Sequence, residues 1–377
     1  MNLLRDLDRP ILYVMFAPLS NTLDGLTFFS LPRAVWALTV WMLLLAAWGA
    51  VRASSDSHGW RRVVATSLLG PAVLVVLVVA ALVLPRPIPR LVHDGPGTAI
   101  DYHAHTNASH DGRPGWTLAK LAAWHERQGY EATYVTDHNI VYDGSLPVPE
   151  GTSISLLPGV EWSVHQQHVV AIGPVEALPR DSFQGSTARM IRIFGAIERQ
   201  GGLGIASLPE YWRYHWDDLG AFVLAGVDGF EIVNCAPKAL GFPSDLRRQV
   251  LALAGSHDLM VVGASDNHGW GRVTCVWNVS QPGAQGFHTN RVFARPLALV
   301  QGDWQPCTAA FTQPWFLLRS LSWSERASWL TWVLVILFYR ALPRREGQSA
   351  GLGILARSVL RRRKAASAPP APNKTPT

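Results

Sequence analysis

Thr98-Ala-Ile-Asp101-Tyr-His103-Ala-His105-Thr-Asn-Ala-Ser-His110-Asp111-Gly112 is the stretch on which the reading of this chain turns. Thr98 to His103 has the apolar and β-branched make-up of a buried strand, and the run of small polar residues after it reads as a loop at its C-terminal end. Alternate side chains of a strand share a face, so His103 and His105 can present two imidazoles to one ion.

Working outward, the same order recurs. Thr117 to Gln128 patterns as a helix and Ala132 to Thr136 as a strand, as do Ser155 to Glu161 and His168 to Ile172. A helix (Ser186 to Arg199), strands Gly204 to Ala206 and Gly229 to Val233, a helix (Ser244 to His257) and a strand (Leu259 to Gly263) follow. Repeated β-then-α order with apolar strands predicts an α/β fold on a parallel sheet, open or closed into a barrel. The metal-binding residue types collect at the strand ends: Thr136-Asp137-His138-Asn139, Pro158-Gly-Val-Glu161-Trp, His168 and Gly263-Ala-Ser-Asp266-Asn-His268-Gly269. Barrels place their sites at that edge. Singly, each has an ordinary explanation: a chance His pair, a helix cap at Asp137-His138, a solvated Glu161. Five strand ends that supply hard or borderline ligands beside small residues point instead to a metal centre.

The segments DYHAHT (101–106), SHDG (109–112), VTDHN (135–139), PGVEWS (158–163), HVVAIG (168–173) and SDNHGWG (265–271) resemble, in order, the motifs of the PHP family of polymerase and histidinol phosphatase domains. The resemblance covers about Thr98 to Gly271. It implies a distorted (β/α)7 barrel that holds two or three divalent ions, zinc, manganese or iron, and hydrolyses phosphomonoesters or phosphodiesters through a metal-activated hydroxide. By position His103, His105, Glu161 and Asp266 correspond to one ion. Glu161 would bridge to a second that also takes His168, and His138, His268 and His110 correspond to a third. The family often has Asp where His110 stands, so His110 and Asp111 compete for that role. One departure stands out: where the family usually has a strand closing in His-Pro, this chain reads Ile205-Ala-Ser207-Leu208-Pro-Glu210. Leu208 cannot bind metal, which leaves Ser207, Glu210 or His215 to compensate, or a weakly held or absent middle ion. His125, His165 and His257 fit no motif and read as surface or helix residues.

In this chemistry Glu161 serves the ions while His268 or Asp137 steadies or protonates the leaving alkoxide. Asp101 and Asp137 are alternatively acceptors that orient ligand imidazoles. Arg113, Arg213 and Arg272 are candidates to hold substrate phosphate, each equally consistent with a solvated surface charge. The aromatic run PEYWRYHW (209–216) reads as a lid or as a segment dipping into a bilayer interface. Asn278-Val-Ser280 matches a glycosylation sequon. Two other classes compete: a catalytically weakened metal-binding or sensor domain at the membrane, and a metal-dependent amidohydrolase. Against the latter, no Lys stands at a strand end as a bridge and Glu161 fills that position.

The flanks are apolar. Charged residues make up only 16% of the 377 residues and apolar ones 48%, with 16 Trp, a balance that suggests a chain partly in lipid. Ala34 to Val51, bracketed by Arg33 and Arg52, and Val63 to Pro85, after Arg61 and Arg62, each read as a transmembrane helix. Both begin too late and run too long for a signal peptide. Ile11 to Phe29 is an interfacial helix, a weak span or a re-entrant segment, and Ala327 to Tyr339 is a third candidate span. The domains expected are a membrane region (1–92), a metallohydrolase domain (93–300), a connector (301–326), a C-terminal membrane helix (327–342) and a basic disordered tail (343–377). Basic residues in that tail and in the loop between the first two spans favour the cytoplasmic side, which puts the catalytic domain on the extracytoplasmic face of a multi-pass protein. The formal charge of +6 follows the apolar runs and the tail, so the partners expected are the lipid bilayer and a phosphorylated small molecule or lipid, with no nucleic acid. Cys235, Cys275 and Cys307 read as isolated buried thiols, with one disulfide open to them in an oxidising compartment.

Overall fold

A computed structural model describes residues 7–54, 60–83, 85–164, 167–178, 187–215, 219–283 and 286–342. His165 and the basic tail lie outside these residues. The chain divides into two compact units, Met1–Ser328 and Trp329–Thr377.

The first unit opens with β1 (Leu7–Asp8), α1 (Ile11–Met15), α2 (Ala17–Thr27), α3 (Leu31–Ser54) and α4 (Trp60–Val83). Helices α3 and α4 are long and apolar enough to cross a membrane. They pack antiparallel and close: a Cβ on Gly49 would lie 2.4 Å from the Thr66 carbonyl oxygen, and one on Gly70 would lie 2.9 Å from Leu45. The absence of a side chain at these two glycines permits the close approach. The stretch from Ile11 to Phe29 becomes α1 and α2, neither of spanning length. Pro18 sits in the first turn of α2, where its missing N–H breaks no helical bond. The polar residues face inward: Asp24 is buried and pairs with Arg86 at 2.5 Å and Arg295 at 2.6 Å. Ile11, Leu12, Met15, Phe16 and Leu19 are exposed.

After β2 (Arg90–Leu91), which pairs with β1, comes the main sheet. Its elements are β3 (Thr98–Ala104), α5 (Leu118–Gln128), β4 (Ala132–Val135), β5 (Ser155–Val164), β6 (Gln167–Ile172), α6 (Thr187–Arg199), β7 (Leu203–Ser207), α7 (Leu208–His215), α8 (Leu219–Leu224), β8 (Gly229–Asn234), α9 (Ser244–Ser256), β9 (Met260–Ala264), β10 (Val276–Gly283) and β11 (Gly286–Ala294). The unit continues through α10 (Pro296–Val300) and α11 (Ala309–Ser320), and α12 (Trp323–Ala341) runs on into the second unit. Helix α12 contains the third apolar segment, but with Glu325, Arg326 and Arg340 it falls short of a spanning apolar stretch.

The strand order is β11-β10-β3-β4-β5-β6-β7-β8-β9. The sheet is mixed, not parallel as expected: β3, β4 and β5 run together, as do β7, β8 and β9, while β6 is antiparallel to both neighbours and β10 is antiparallel to β3. Only positions 165 and 166 separate β5 from β6, and a parallel return needs a crossover of roughly a dozen residues. A bridge between Ala104 and Asn267 brings the end of β9 back to β3 and nearly closes the sheet into a barrel. Curling lets side chains of non-neighbouring strands meet, with Ile100, Tyr102, Tyr134, Val170, Ile205 and Val262 in one buried cluster. Outside, Phe222 of α8 meets both Phe194 of α6 and Phe230 of β8, while Leu121 and Trp124 of α5 share a buried cluster with Trp277.

The cysteines take the alternative left open to them, and the sequon match is ruled out. Cys235, just after β8, and Cys275, just before β10, form a disulfide, so they are not isolated thiols; Cys307 is free and exposed. Asn278 is fully buried and its side chain bonds Ile100 O and Gly263 O, so the sequon is closed to glycosylation.

Candidate metal centre

The Nε2 atoms of His103 and His105 face each other at 3.0 Å, and Glu161 Oε2 lies 3.2 Å from the first and 3.1 Å from the second. Asp266 Oδ1 approaches the same two nitrogens at 3.5 and 3.2 Å. These residues come from the ends of β3, β5 and β9. Asp266 sits at φ 45°, a left-handed conformation that Asp tolerates better than most residues. His138, after β4, puts Nδ1 3.0 Å from Glu161 Oε2, and His168 Nδ1 meets the other oxygen, Oε1. The reversal of β6 explains His168: its first residues lie at the edge where β5 and β7 end, with His168 opposite Ser163 and Ser207. His268 stacks on His105, ring centroids 3.9 Å apart, and its Nε2 lies 3.2 Å from Asp111 Oδ1.

Whether these groups suit a cation is tested by what else could satisfy them. Both Glu161 oxygens, Asp266 Oδ1 and His138 Nδ1 are buried without a hydrogen-bond partner among the described residues. Lone pairs left bare in a dry pocket are costly, and two ring nitrogens at contact distance can share only one proton. A mixed imidazole and carboxylate donor set suits zinc, manganese or iron. The ligand atoms form four overlapping groups: His103–His105–Asp266, His138–Glu161–His168, His105–His138–His268 and His110–Asp111–His138. The sequence-derived ligands are therefore gathered in one place.

The charges reinforce one another. Burial favours the neutral ring of His103, but Glu161, Asp266 and Glu231 outweigh it and hold its pKa well above the ordinary value. His168 is raised against burial by Glu161 and Glu210, and His268 is raised to about 9 by Asp111 and Asp266. Conversely, burial would raise Glu161, yet His168 and His103 hold its carboxyl well below the usual range.

Around the centre sit residues that the sequence reading missed or left open. Glu231, fully buried in β8, accepts from Ser207 Oγ and Asn234 Nδ2 at 2.8 Å each, and its Oε2 lies 2.9 Å from His103 Nδ1. It escaped notice, although a Glu within the otherwise apolar Gly229-Phe-Glu231-Ile-Val is the signal that could have found it. His125 is a helix residue, one of the two readings open to it, and lies fully buried on α5 with Nε2 2.8 Å from Asp101 Oδ2. Asp101 Oδ1 accepts the Ser265 N–H at 3.1 Å, so this pair ties α5, β3 and the loop after β9 together rather than orienting a ligand imidazole.

Of the two roles open to Asp137, the geometry favours an acceptor behind the His105 ring over an acid at the leaving group. Asp137 Oδ1 accepts from Thr106 N and Ser109 Oγ at 2.7 Å each, and its Oδ2 from Thr106 Oγ1 at 2.6 Å and Tyr142 Oη. Burial would raise its carboxyl, but these donors hold it below the usual range, a poor proton donor. Through Ser109 Oγ, 2.9 Å from His105 Nδ1, Asp137 positions that ring. His110 is 78% exposed, whereas Asp111 reaches His138 at 3.5 Å as well as His268, so Asp111 is the better placed of the two. Leu208 is buried in the core and Ser207 is taken by Glu231, but Glu210 in the first turn of α7 puts Oε2 3.4 Å from His168 Nδ1. The His215 side chain lies outside the described residues. Arg113 lies beside the His268 loop, bonding Gly269 O at 3.4 Å; Arg213 lies over Trp212 at 4.4 Å; Arg272 bonds Val83 O at the end of α4.

No protein-family model and no curated protein matches the chain. Solved structures align with it at low identity. A candidate metal-dependent phosphoesterase of Bifidobacterium adolescentis is 16% identical over 47% of this chain and 89% of its own, with a TM-score of 0.34. An amidohydrolase of Chromobacterium violaceum is 16% identical over 51% and 90%, TM-score 0.31. The lesion-specific endonuclease EndoQ of Pyrococcus furiosus is 14% identical over 50% and 54%, TM-score 0.33.

Proposed function

We propose that this chain is a membrane-anchored, metal-dependent phosphoesterase of PHP type. The observation that carries the reading is the Glu161 carboxylate, both of whose oxygens are buried and without a hydrogen-bond partner among the described residues, ringed by the nitrogens of His103, His105, His138 and His168. Divalent ions bound there would supply Lewis acidity toward phosphoryl oxygens and a water of lowered pKa. The protein's own part is positional. Glu161 and Asp266 set the ligand geometry, and Glu231 and the Asp137–Ser109 pair fix the rings of His103 and His105 from behind. His268 lies at the rim beside Asp111, placed to hold a proton for the leaving oxygen. In hydrolysis a water oxygen bonds to phosphorus, the P–O ester bond breaks, and the departing alkoxide takes the His268 proton; one proton of the attacking water restores the ring and the other leaves with the phosphate. The Cys235–Cys275 disulfide supports an oxidising, extracytoplasmic setting for the domain.

The test uses the full chain in detergent, because α1, α2 and α11 belong to the same compact unit as the sheet. Elemental analysis is expected to find about two or three ions per chain. Hydrolysis of p-nitrophenyl phosphate or its bis ester should vanish in a His103→Ala, Asp266→Ala double variant. Substoichiometric metal with no turnover under manganese or zinc supplementation would overturn the enzymatic reading in favour of a sensor.

A further inference from the structure

A cavity of about 530 Å³ lies beside the metal centre, and Glu210 belongs to both. On one side Glu210 Oε2 approaches His168 Nδ1 at 3.4 Å; on the other its Oε1 pairs with Lys238 Nζ at 3.1 Å. Two further cations line the cavity. Arg33 is only 5% exposed; its Nε and Nη2 bond the Trp304 carbonyl, and at 3.4 Å Nη1 reaches Ser30 Oγ and Nη2 reaches Gly302 O. Arg213 lies over the Trp212 ring and has no carboxylate partner among the described residues. Both guanidiniums converge on Gly241: a Cβ there would lie 3.8 Å from Arg213 Nη2 and 3.9 Å from Arg33 Nη1. Burial and then the charge of Arg213 pull the Arg33 pKa down to about 10, so two like charges are held together. Against these three cations the described lining residues offer one carboxylate, Glu210. An oxyanion would answer that excess of positive charge.

The position of the cavity selects the source of that oxyanion. Ser30, Pro32 and Arg33 in its wall are the entry to α3, one of the two helices of membrane-spanning character. Leu31, Val35 and Trp36 on its first turns are exposed, as are Phe311 and Trp315 on α11, which packs against α3. Exposed Trp and Phe beside the start of an apolar helix are the signature of a membrane interface. We infer that this cavity is a subsite for the anionic headgroup of a membrane amphiphile, gripped by Arg33, Arg213 and Lys238 while the acyl chains lie along α3. The inference rests on the proposed phosphoesterase reading for its link to turnover: the substrate class becomes a phosphorylated lipid with a second anionic group beside the ester that is cleaved.

Binding is tested apart from catalysis. The full-length protein, stripped with chelator so that the carboxylate-rich metal centre repels anions, is titrated with dioctanoyl phosphatidic acid, dioctanoylglycerol and inorganic phosphate, read by tryptophan fluorescence. Saturable binding of the phosphatidic acid alone is expected. It should weaken at least about tenfold in Arg213→Gln and in Lys238→Gln, the loss of one charge-assisted hydrogen bond. It should weaken likewise in Gly241→Asp, which sets a carboxylate between the guanidiniums in a space that admits its Cβ. Phosphatidic acid binding that is unchanged in all three variants would overturn the subsite. Phosphate binding as tight as the lipid and sensitive to the same variants would overturn the lipid source. Because metal is absent throughout, failure here leaves the hydrolysis assay of the preceding section to stand or fall by itself.

Discussion

Replacing Glu231 by Gln keeps the shape of the side chain but removes the charge that faces His103 Nδ1. Partners behind a ligand imidazole commonly set metal affinity by about 10–100-fold, and a loss of that size is expected in chelator competition. Unchanged affinity would dismiss Glu231 from that role. Protons should matter as much. Without metal, His103 and His168 hold protons above their ordinary range because carboxylates crowd them. An entering dication must displace those protons, so apparent affinity should climb as pH rises past the ordinary imidazole range, about 6.5. Calorimetry in buffers of different ionisation enthalpy should show more than about one proton released per ion near neutral pH; no release would mean the rings are already neutral. At this scale the candidate ligands could be picked out because HxH, Asp137-His138, Glu161, His168 and Asp266 lie in strands or within a few residues of their ends. The supporting residues were not. Whether His125 is surface or core, and whether Asp137 faces the ions or the loop behind them, depends on which helix and loop pack there, and no spacing in the chain encodes that.

Apart from β5, which runs three residues past Glu161 to Val164, the strands and helices expected from Thr98 to Gly263 fall within a residue or two of their expected ends, since apolar periodicity and Gly punctuation mark them locally. Strand direction was the part misjudged. Composition does not report that β6 turns back, although the shortness of the link after Val164 does. Helix α7 and the β10–β11 hairpin likewise carried no expected element. The cysteine pairing was illegible for a related reason: the Cα atoms of Cys235 and Cys275 come within 5.6 Å only because β8 and β10 are brought to one place by the curl of the sheet. Closing that loop of 40 residues should stabilise the fold by about 2–4 kcal/mol. Cys235→Ser, Cys275→Ser protein should therefore unfold at a clearly lower denaturant concentration than the parent, and reductant should lower the parent to match. Identical midpoints would show that the sulfurs contribute no cross-link in solution.

At the scale of the whole chain, the two membrane-length helices were legible from uncharged runs between arginines, whereas the docking of α1 and α2 was not, because Asp24 finds Arg86 and Arg295 only in three dimensions. Cys307 offers a direct check of sidedness, since it is exposed and is the cysteine left outside the disulfide. In intact cells or right-side-out vesicles a membrane-impermeant maleimide should label it without permeabilisation; labelling only after lysis would invert the orientation proposed above. One further consequence follows from the bridge between Ala104 and Asn267. The ligands on β3 are synthesised long before those after β9, and the ion-binding edge exists only once both have met. In the orientation proposed above, a nascent chain threading across the bilayer would therefore be blind to the metals of the compartment in which it is translated. Any ion it finally carried would be chosen by supply on the far side, at the moment the last strand comes home.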